Sequence, residues 1–456
     1  MTDIPARLGA HNVSFGSAVR VWLRVAALSF GGPAGQIAVM HRIVVEEQGW
    51  IGETRFLHAL GYCNLLPGPE AQQLAIYIGW LMHRTRGGVV AGVLFVLPGA
   101  IAILVLSLIY AAYGQVGAVA AIFFGLKAAV LAVVVQAVIR LGKRSLRNTM
   151  LRGIAAASFL ALFVFGVPFP AVVVGAGAIG WLGARAGIAA LQPSGGGHAA
   201  GSARTGRFEI AWPAGLPDHT RPNAPRTVRI AALWLAIWLV PLGLVVLAAP
   251  NSIFADVGKF FAQTALVAFG GAYAILAYVA QHAVAGYGWL TAPQMLDGLG
   301  LAETTPGPLI MVVQFVGFIA AFHAPGSMNP LLAGTLAALL TTWLTFAPCF
   351  LWVFLGGPYI EALRGNRSLS AALGAISAAI AGVILNLAAW FALHTLFGEL
   401  RPIAGLAFEM PMLASVDPWA CLLAAGTALA MFRFGVGVIT TLAGSAVISL
   451  VVYWLR

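Results

Sequence analysis

Leu66-Pro67-Gly68-Pro69 and Thr305-Pro306-Gly307-Pro308 decide how this chain is read. The two motifs lie 239 residues apart (307 − 68), and the spacing extends outward from them. Leu60-Gly61 recurs as Leu299-Gly300, Gly49-Trp50 as Gly288-Trp289, and Phe30-Gly31-Gly32 as Phe269-Gly270-Gly271, all at the same offset. Each copy sets Gly and Pro inside apolar sequence. Two prolines around a glycine remove backbone donors and cannot continue an α-helix. Duplicated halves with matched helix breaks are a mark of secondary transporters, in which the broken helices usually carry the substrate site.

The composition agrees. The chain of 456 residues is 61% hydrophobic and 9% charged. Runs such as Gly88–Ala112, Val116–Ile139, Ile230–Ala249, Leu331–Leu355, Leu369–Leu393 and Phe434–Tyr453 approach the roughly 20 apolar residues that span a bilayer. The expected fold is an all-α polytopic membrane protein of about 13 spans, built as two inverted-topology repeats with helices broken at their Gly/Pro motifs. Residues 1–190 form the first repeat, 191–229 a cytoplasmic flexible linker, 230–250 a connecting span and 251–456 the second repeat. Cys63, Cys349 and Cys421 sit in apolar sequence without metal-ligand spacing and read as packing residues. A net charge of +11 comes from short loops and a basic run near Thr220–Arg229, so it orients the chain in the bilayer and signals no nucleic-acid partner.

Loop charge predicts the inversion. Arg84 and Arg86 precede the span containing Pro98, the next loop (Ala111–Gly117) has no charge, and Arg140–Arg152 is strongly basic. The first and third of these loops are therefore expected inside and the second outside. In the second half the corresponding loops reverse this bias: His323–Asn329 has no Lys or Arg, and Gly356–Ser368 carries Arg364 and Arg367. One additional span between the copies inverts a duplicated half.

The breaks suggest where an anion binds. A half-helix beginning after Gly31-Gly32, with Pro33 in its first turn, exposes N–H groups and a partial positive charge, as does one beginning after Pro67-Gly68-Pro69. Gly270, Gly271, Pro306, Gly307 and Pro308 repeat this arrangement. Close helix packing at the glycine pairs is the alternative. Non-helical backbone at membrane depth needs protein or a water-filled cavity around it. Arg24 lies seven residues before Gly31. It either snorkels to the surface or presents a planar fork to a tetrahedral oxyanion. Gln72 and Gln73 follow the first Pro-Gly-Pro motif, and Lys127 is an intramembrane cation with no neighbouring acid in sequence. Glu70 and Glu303 beside the two motifs are candidate proton carriers; exposed helix-end carboxylates are the other reading. Gln136 and Asn386 correspond at an offset of 250, set by Pro98 and Pro348, and suit an interhelical hydrogen bond. No nucleotide-binding, hydrolase or metal motif is present, so no catalytic residue, metal or cofactor is expected.

These residues resemble the chromate ion transporter family, through Phe30-Gly31-Gly32-Pro33, Gly49-Trp50, Leu66-Pro67-Gly68-Pro69 with Gln72-Gln73, and the second set from Phe269 to Pro308. The resemblance covers nearly the whole chain apart from the linker and termini. It implies the long form with two fused halves; shorter relatives carry one half and work as oppositely oriented pairs. It also implies export of chromate or a related oxyanion across the bacterial inner membrane, without an enzymatic step. A homodimer is left open. The second copy departs where Pro33 becomes Ala272 and Gln72-Gln73 become Met311-Val312, so the halves need not contribute equally.

Overall fold

The computed structural model describes residues 13–30, 32–64, 66–114, 116–191, 219, 222–269, 272–359, 367–403 and 405–455. Gly31, Gly270, Gly271 and most of the predicted linker lie outside them. The chain is an all-α polytopic membrane protein. Among the described residues, six helices are long and apolar enough to cross a membrane, and four more apolar helices are shorter. The breaks leave several of the apolar segments as short helices.

The first repeat opens with α1 (Phe15–Leu28), capped by Ser14, whose side chain accepts from the Ser17 N–H. After the break come α2 (Gly32–His41), a π-helical turn (Arg42–Glu47) and α3 (Glu53–Cys63). At 14, 10 and 11 residues, these helices measure about 15–21 Å at 1.5 Å per residue, against about 30 Å of hydrocarbon. They therefore reach inward and return. Trp22 of α1 lies 6.1 Å from Trp50, and Arg24 bonds Glu47 at 2.6 Å, so α1 lies against the π-helical turn and the residues after it, and it also touches α2.

The helix α4 (Glu70–Tyr113) has 44 residues, about 66 Å if straight, or twice the bilayer core. It folds back at His83 and Arg84, where Arg84 takes φ 53°. Glycines permit the close return: a Cβ on Gly79 would lie 2.5 Å from the Gly87 carbonyl, and one on Gly92 would lie 2.5 Å from Ile76. Tyr62 and Tyr77, 6.0 Å apart, place α3 beside the first arm of α4. Thus the Phe-Gly-Gly and Pro-Gly-Pro motifs are the tips of two helical hairpins. The helices α5 (Gly117–Ser145), α6 (Thr149–Phe163) and α7 (Phe169–Arg185) complete the repeat.

The connecting helix α8 (Ala224–Ala248) starts six residues before the expected span. The second repeat then follows the first: α9 (Ile253–Val267), α10 (Ala272–Ala280), a π-helical turn (Gln281–Gly286) and α11 (Ala292–Thr304). Next come α12 (Val312–His323), α13 (Pro330–Gly356), α14 (Arg367–Leu396), a short hairpin of β1 (Leu400–Pro402) and β2 (Glu409–Pro411), α15 (Pro418–Phe432) and α16 (Val438–Leu455). The repeat extends to local geometry. Both π-helical turns sit at the 239-residue offset, and Gly49 and Gly288 take φ 61° and 63°.

The halves interlock. The helix α5 packs on α15 and α16, while α14 packs on α6 and α7. Ser445 and Ser449 donate to the carbonyls of Gly125 and Ala121 at 2.7 and 2.6 Å, and Gly180 and Gly382 leave room for the backbone of the opposite half. Small residues and serine bonds are the usual adhesives between helices in lipid, where the hydrophobic effect does not drive association. The halves therefore form one body around the four hairpin tips.

Candidate functional site where the hairpin tips meet

In Pro67-Gly68-Pro69 only Gly68 keeps a backbone donor, and that N–H reaches the Ala268 carbonyl at 2.8 Å. In the second repeat the Gly307 N–H reaches the Ser29 carbonyl, also at 2.8 Å. Ala268 precedes Phe269 as Ser29 precedes Phe30. Each Pro-Gly-Pro tip is thus bonded to the Phe-Gly-Gly tip of the other repeat, an exchange that a pseudo-two-fold relation produces. Gly68 and Gly307 take φ 120° and 99°, which favour glycine.

Space is equally restrictive. A Cβ on Gly68 would lie 2.9 Å from the Cys349 Sγ, and one on Gly307 would lie 3.0 Å from the Cα of Gly99. Gly99 and Cys349 each follow the proline inside a long helix, Pro98 of α4 and Pro348 of α13. Gly99 lies about 21 Å from either end of the second arm of α4 at 1.5 Å per residue, so the tip contacts that arm at its middle.

The tips gather buried amides. Gln36 of α2 donates to the Gly307 carbonyl. Gln73 donates to the Pro67 carbonyl at 2.7 Å, and Gln314 donates to the Ala100 carbonyl at 3.1 Å. Gln72 is fully buried, and neither atom of its amide has a hydrogen-bond partner; the Gln73 and Gln314 oxygens share that condition. A buried polar group without a partner costs about 1–3 kcal/mol, which calls for an explanation in function or bound solvent. Gln72 sits in the first turn of α4, whose cap Pro69 offers no side-chain acceptor. The first-turn N–H groups and the helix dipole favour negative charge there.

The predicted site residues fall into groups. Pro67, Gly68 and Pro69 form one crossing, with Gly68 against Ala268 and Cys349, and Pro306, Gly307 and Pro308 form the equivalent one, with Gly307 against Ser29 and Gly99; Gln72 lies three residues after the first motif. Gly32, with φ 71°, starts α2 at the first tip, whereas Gly31, Gly270 and Gly271 are outside the described residues. The backbone donors of Gly68 and Gly307 are taken by the opposite repeat, which leaves the first-turn N–H groups after each motif as the candidate donors. Glu70 heads α4 and is half-buried. Glu303, 3% exposed, accepts from the Tyr273 hydroxyl at 2.7 Å. Arg24 stands apart, with half its side chain exposed and Glu47 at 2.6 Å. Lys127 finds an acid distant in sequence: Asp297 of α11, at 3.4 Å.

Sequence reasoning passed over Gln36, Tyr273, Asp297 and Tyr110. The first three occupy positions whose repeat mates are Ile275, Ala34 and His58, so comparison of the copies did not flag them. Among the described residues no group of His, Cys, Asp and Glu is arranged to hold a metal ion.

The model of a family described as chromate transporter matches residues 17–181 and 255–450, one segment in each repeat. The chain belongs to the chromate transporter family. Its similarity to individual members is spread along the sequence. A chromate transport protein of Pseudomonas aeruginosa is 32% identical over 80% of this chain and 77% of its own length. One from Cupriavidus metallidurans is 28% identical over 80% of each chain, and a probable chromate transport protein of Synechococcus elongatus is 27% identical over 84% and 86%. No solved structure matches the chain. The matched segments of this chromate transporter include both pairs of hairpins, so the crossed tips lie within what the family shares.

Proposed function

We propose that the protein exports chromate from the bacterial cytoplasm across the inner membrane, with the oxyanion held where the four hairpin tips cross. The observation that carries this reading is Gln72, a buried amide without a partner at the uncapped N-terminus of α4. Its Nε2–H₂ and the first-turn N–H groups are donors that an oxyanion accepts from and hydrocarbon does not. Gln73 and Gln314 fix the surrounding carbonyls and leave their own oxygens for water or a protonated ligand. Pro67, Pro69, Pro306 and Pro308 hold the backbone open, and Gly32, Gly68 and Gly307 let it approach closely.

Energetics favour export. A dianion leaving an inside-negative cell gains about 4.6 kcal/mol per 100 mV, two charges at about 2.3 each. That sustains roughly a thousandfold gradient, since 1.4 kcal/mol is about tenfold. Protons are not required. If they are coupled, Glu303 beside Tyr273 and Glu70 in the first turn of α4 carry them, because both stand next to the tips that the anion occupies.

Everted membrane vesicles energised to a defined potential test this. Chromate uptake that grows with the potential and falls in Gln72→Leu supports the proposal. Uptake of sulfate in place of chromate would reassign the substrate within the oxyanions, since amide donors suit either tetrahedral dianion. Uptake of neither by vesicles that contain the protein rejects it.

A further inference from the structure

Lys127 of α5 and Asp297 of α11 join the two repeats through an ion pair whose aspartate is buried and whose lysine is partly exposed. The Asp297 Oδ1 faces the Lys127 ammonium at 3.4 Å, and the Oδ2 accepts from the Tyr110 hydroxyl at 2.9 Å. The Tyr110 ring is itself held edge-on by Phe123 and Phe315, at 5.0 and 5.2 Å. The aspartate is thus fixed from one side, and the lysine is the more accessible partner: 20% of its side chain is exposed, against 8% for Asp297. The repeat mates are Ser377 and His58, so the pair is confined to one of the two equivalent places.

Its position relative to the tips suggests a role. Gly307 touches α4 at Gly99, and Tyr110 lies 11 residues further along the same arm, about 16 Å away. That end of the arm leads into the loop Ala111–Gly117, which has no charge and faces outside by the distribution of Lys and Arg. The pair therefore stands on the outward side of the tips. An intramembrane cation is a functional candidate by default, and here its charge is occupied while the tips stand as described.

Resting on the export reading above, we propose that Lys127 and Asp297 form an exit latch: the departing oxyanion draws the Lys127 ammonium from Asp297, and the pair re-forms behind it. No bond or proton is transferred. One carboxylate oxygen is exchanged for a substrate oxygen around the same ammonium. Tyr110 keeps Asp297 from following the lysine, which limits competition between the two anions. Once the anion has left, the closed pair removes the positive charge that would attract its return.

The test is the split between KM and maximal rate for chromate uptake into everted vesicles, normalised to protein present. Asp297→Asn leaves the ammonium unopposed, so the anion is held at the exit. KM and maximal rate should both fall, each by at least about fivefold, the lower end of ordinary coupling between sites. Tyr110→Phe keeps both charges but frees Asp297 to pursue the lysine, so KM should rise. Lys127→Met with Asp297→Asn removes the trap and the pair together; KM should not fall below that of the unaltered protein, with assembly intact by gel filtration. Unchanged KM in Asp297→Asn and Tyr110→Phe, with only the amount of folded protein altered, overturns the latch and makes the pair structural. Should Asp297→Asn fail to assemble, Tyr110→Phe and the double variant decide by the direction of KM. Absence of chromate uptake by the unaltered protein rejects the export reading itself, an outcome distinct from uptake with an insensitive KM.

Discussion

The two Pro-Gly-Pro tips share a backbone and differ in nearly every side chain around it. Gly68 and Gly307 have matching left-handed conformations, equal 2.8 Å bonds to the opposite repeat, and a long proline-containing helix against their Cα atoms. Around the first tip stand Glu70, Gln72 and Gln73, where the second has Leu309, Met311 and Val312. The second has Tyr273 and Glu303 where the first has Ala34 and Asn64. Duplication has preserved what the crossing needs geometrically, and chemistry has diverged on that frame. The first tip carries Gln72 and Gln73 beside Glu70, while the second carries the acid–phenol pair of Glu303 and Tyr273 and receives the Gln36 amide from the opposite repeat. A symmetric scaffold with asymmetric side chains suits a transporter that must treat its two aqueous sides differently.

The largest expected effect removes the shared geometry. Replacing Pro67-Gly68-Pro69 with three alanines favours a continuous helix, since proline costs about 3 kcal/mol in a helix interior and alanine is the best helix former. An alanine at Gly68 also meets the Cys349 Sγ at 2.9 Å. Chromate uptake should fall at least about 100-fold, the equivalent of about 2.8 kcal/mol. The same replacement at Pro306–Pro308 should be comparably severe, because each tip is bonded to the other repeat. Normal uptake after the first replacement would make that motif an incidental turn. A large loss at the first and none at the second would break the reciprocity.

A smaller effect isolates the difference between the tips. Gln72→Leu removes a buried amide that has no partner, so stability should be unchanged or higher, while uptake falls about 10–100-fold if charged hydrogen bonds of about 1.5–3 kcal/mol are lost. Thermal unfolding in detergent, measured beside vesicle uptake, separates the two. A parallel loss of stability and uptake would return Gln72 to a packing role. Met311→Gln in the Gln72→Leu background should not restore transport, because the scaffold is symmetric and the site is not.

Glu303→Gln tests the acid of the second tip. The amide retains an acceptor for the Tyr273 hydroxyl but carries no proton. Potential-driven chromate uptake should persist within about fivefold, a loss of about 1 kcal/mol, and its response to an imposed pH gradient should vanish. An unaltered response would move proton coupling to Glu70 or exclude both.

The frame was legible in sequence because Gly and Pro act through local backbone constraints, which a repeat displays at fixed spacing. The 239-residue offset carries both breaks and both Gly-Trp turns, and the chain reverses in α4 at His83 and Arg84, where charge placed a loop. Contacts that exist only after both halves fold were not legible. The reciprocal bonds of Gly68 and Gly307 link residues of opposite repeats. Lys127 meets Asp297, 170 positions away (297 − 127). Gln36 reaches Gly307 from a position whose repeat mate is Ile275, so the periodicity that revealed the frame concealed this amide.

The smallest expected effect concerns Arg24, whose position in the first repeat corresponds to Gln263 in the second. Sequence alone left two roles for it, an anion fork or a snorkelling side chain. Its guanidinium now lies 2.6 Å from Glu47, with half the side chain exposed. Exposed ion pairs contribute about 0–1 kcal/mol, so Arg24→Gln should change uptake by less than about fivefold. Glu47→Gln should produce the same small change, because either substitution opens the same pair between α1 and the π-helical turn. Abolished uptake in Arg24→Gln, with protein still in the membrane and Glu47→Gln active, would place the guanidinium on the path of the anion. Arg24→Lys would then recover little, since an ammonium lacks the bidentate fork. That result would also sharpen the contrast between the repeats, by adding a cation on the side of the buried amides where the second repeat has only an amide.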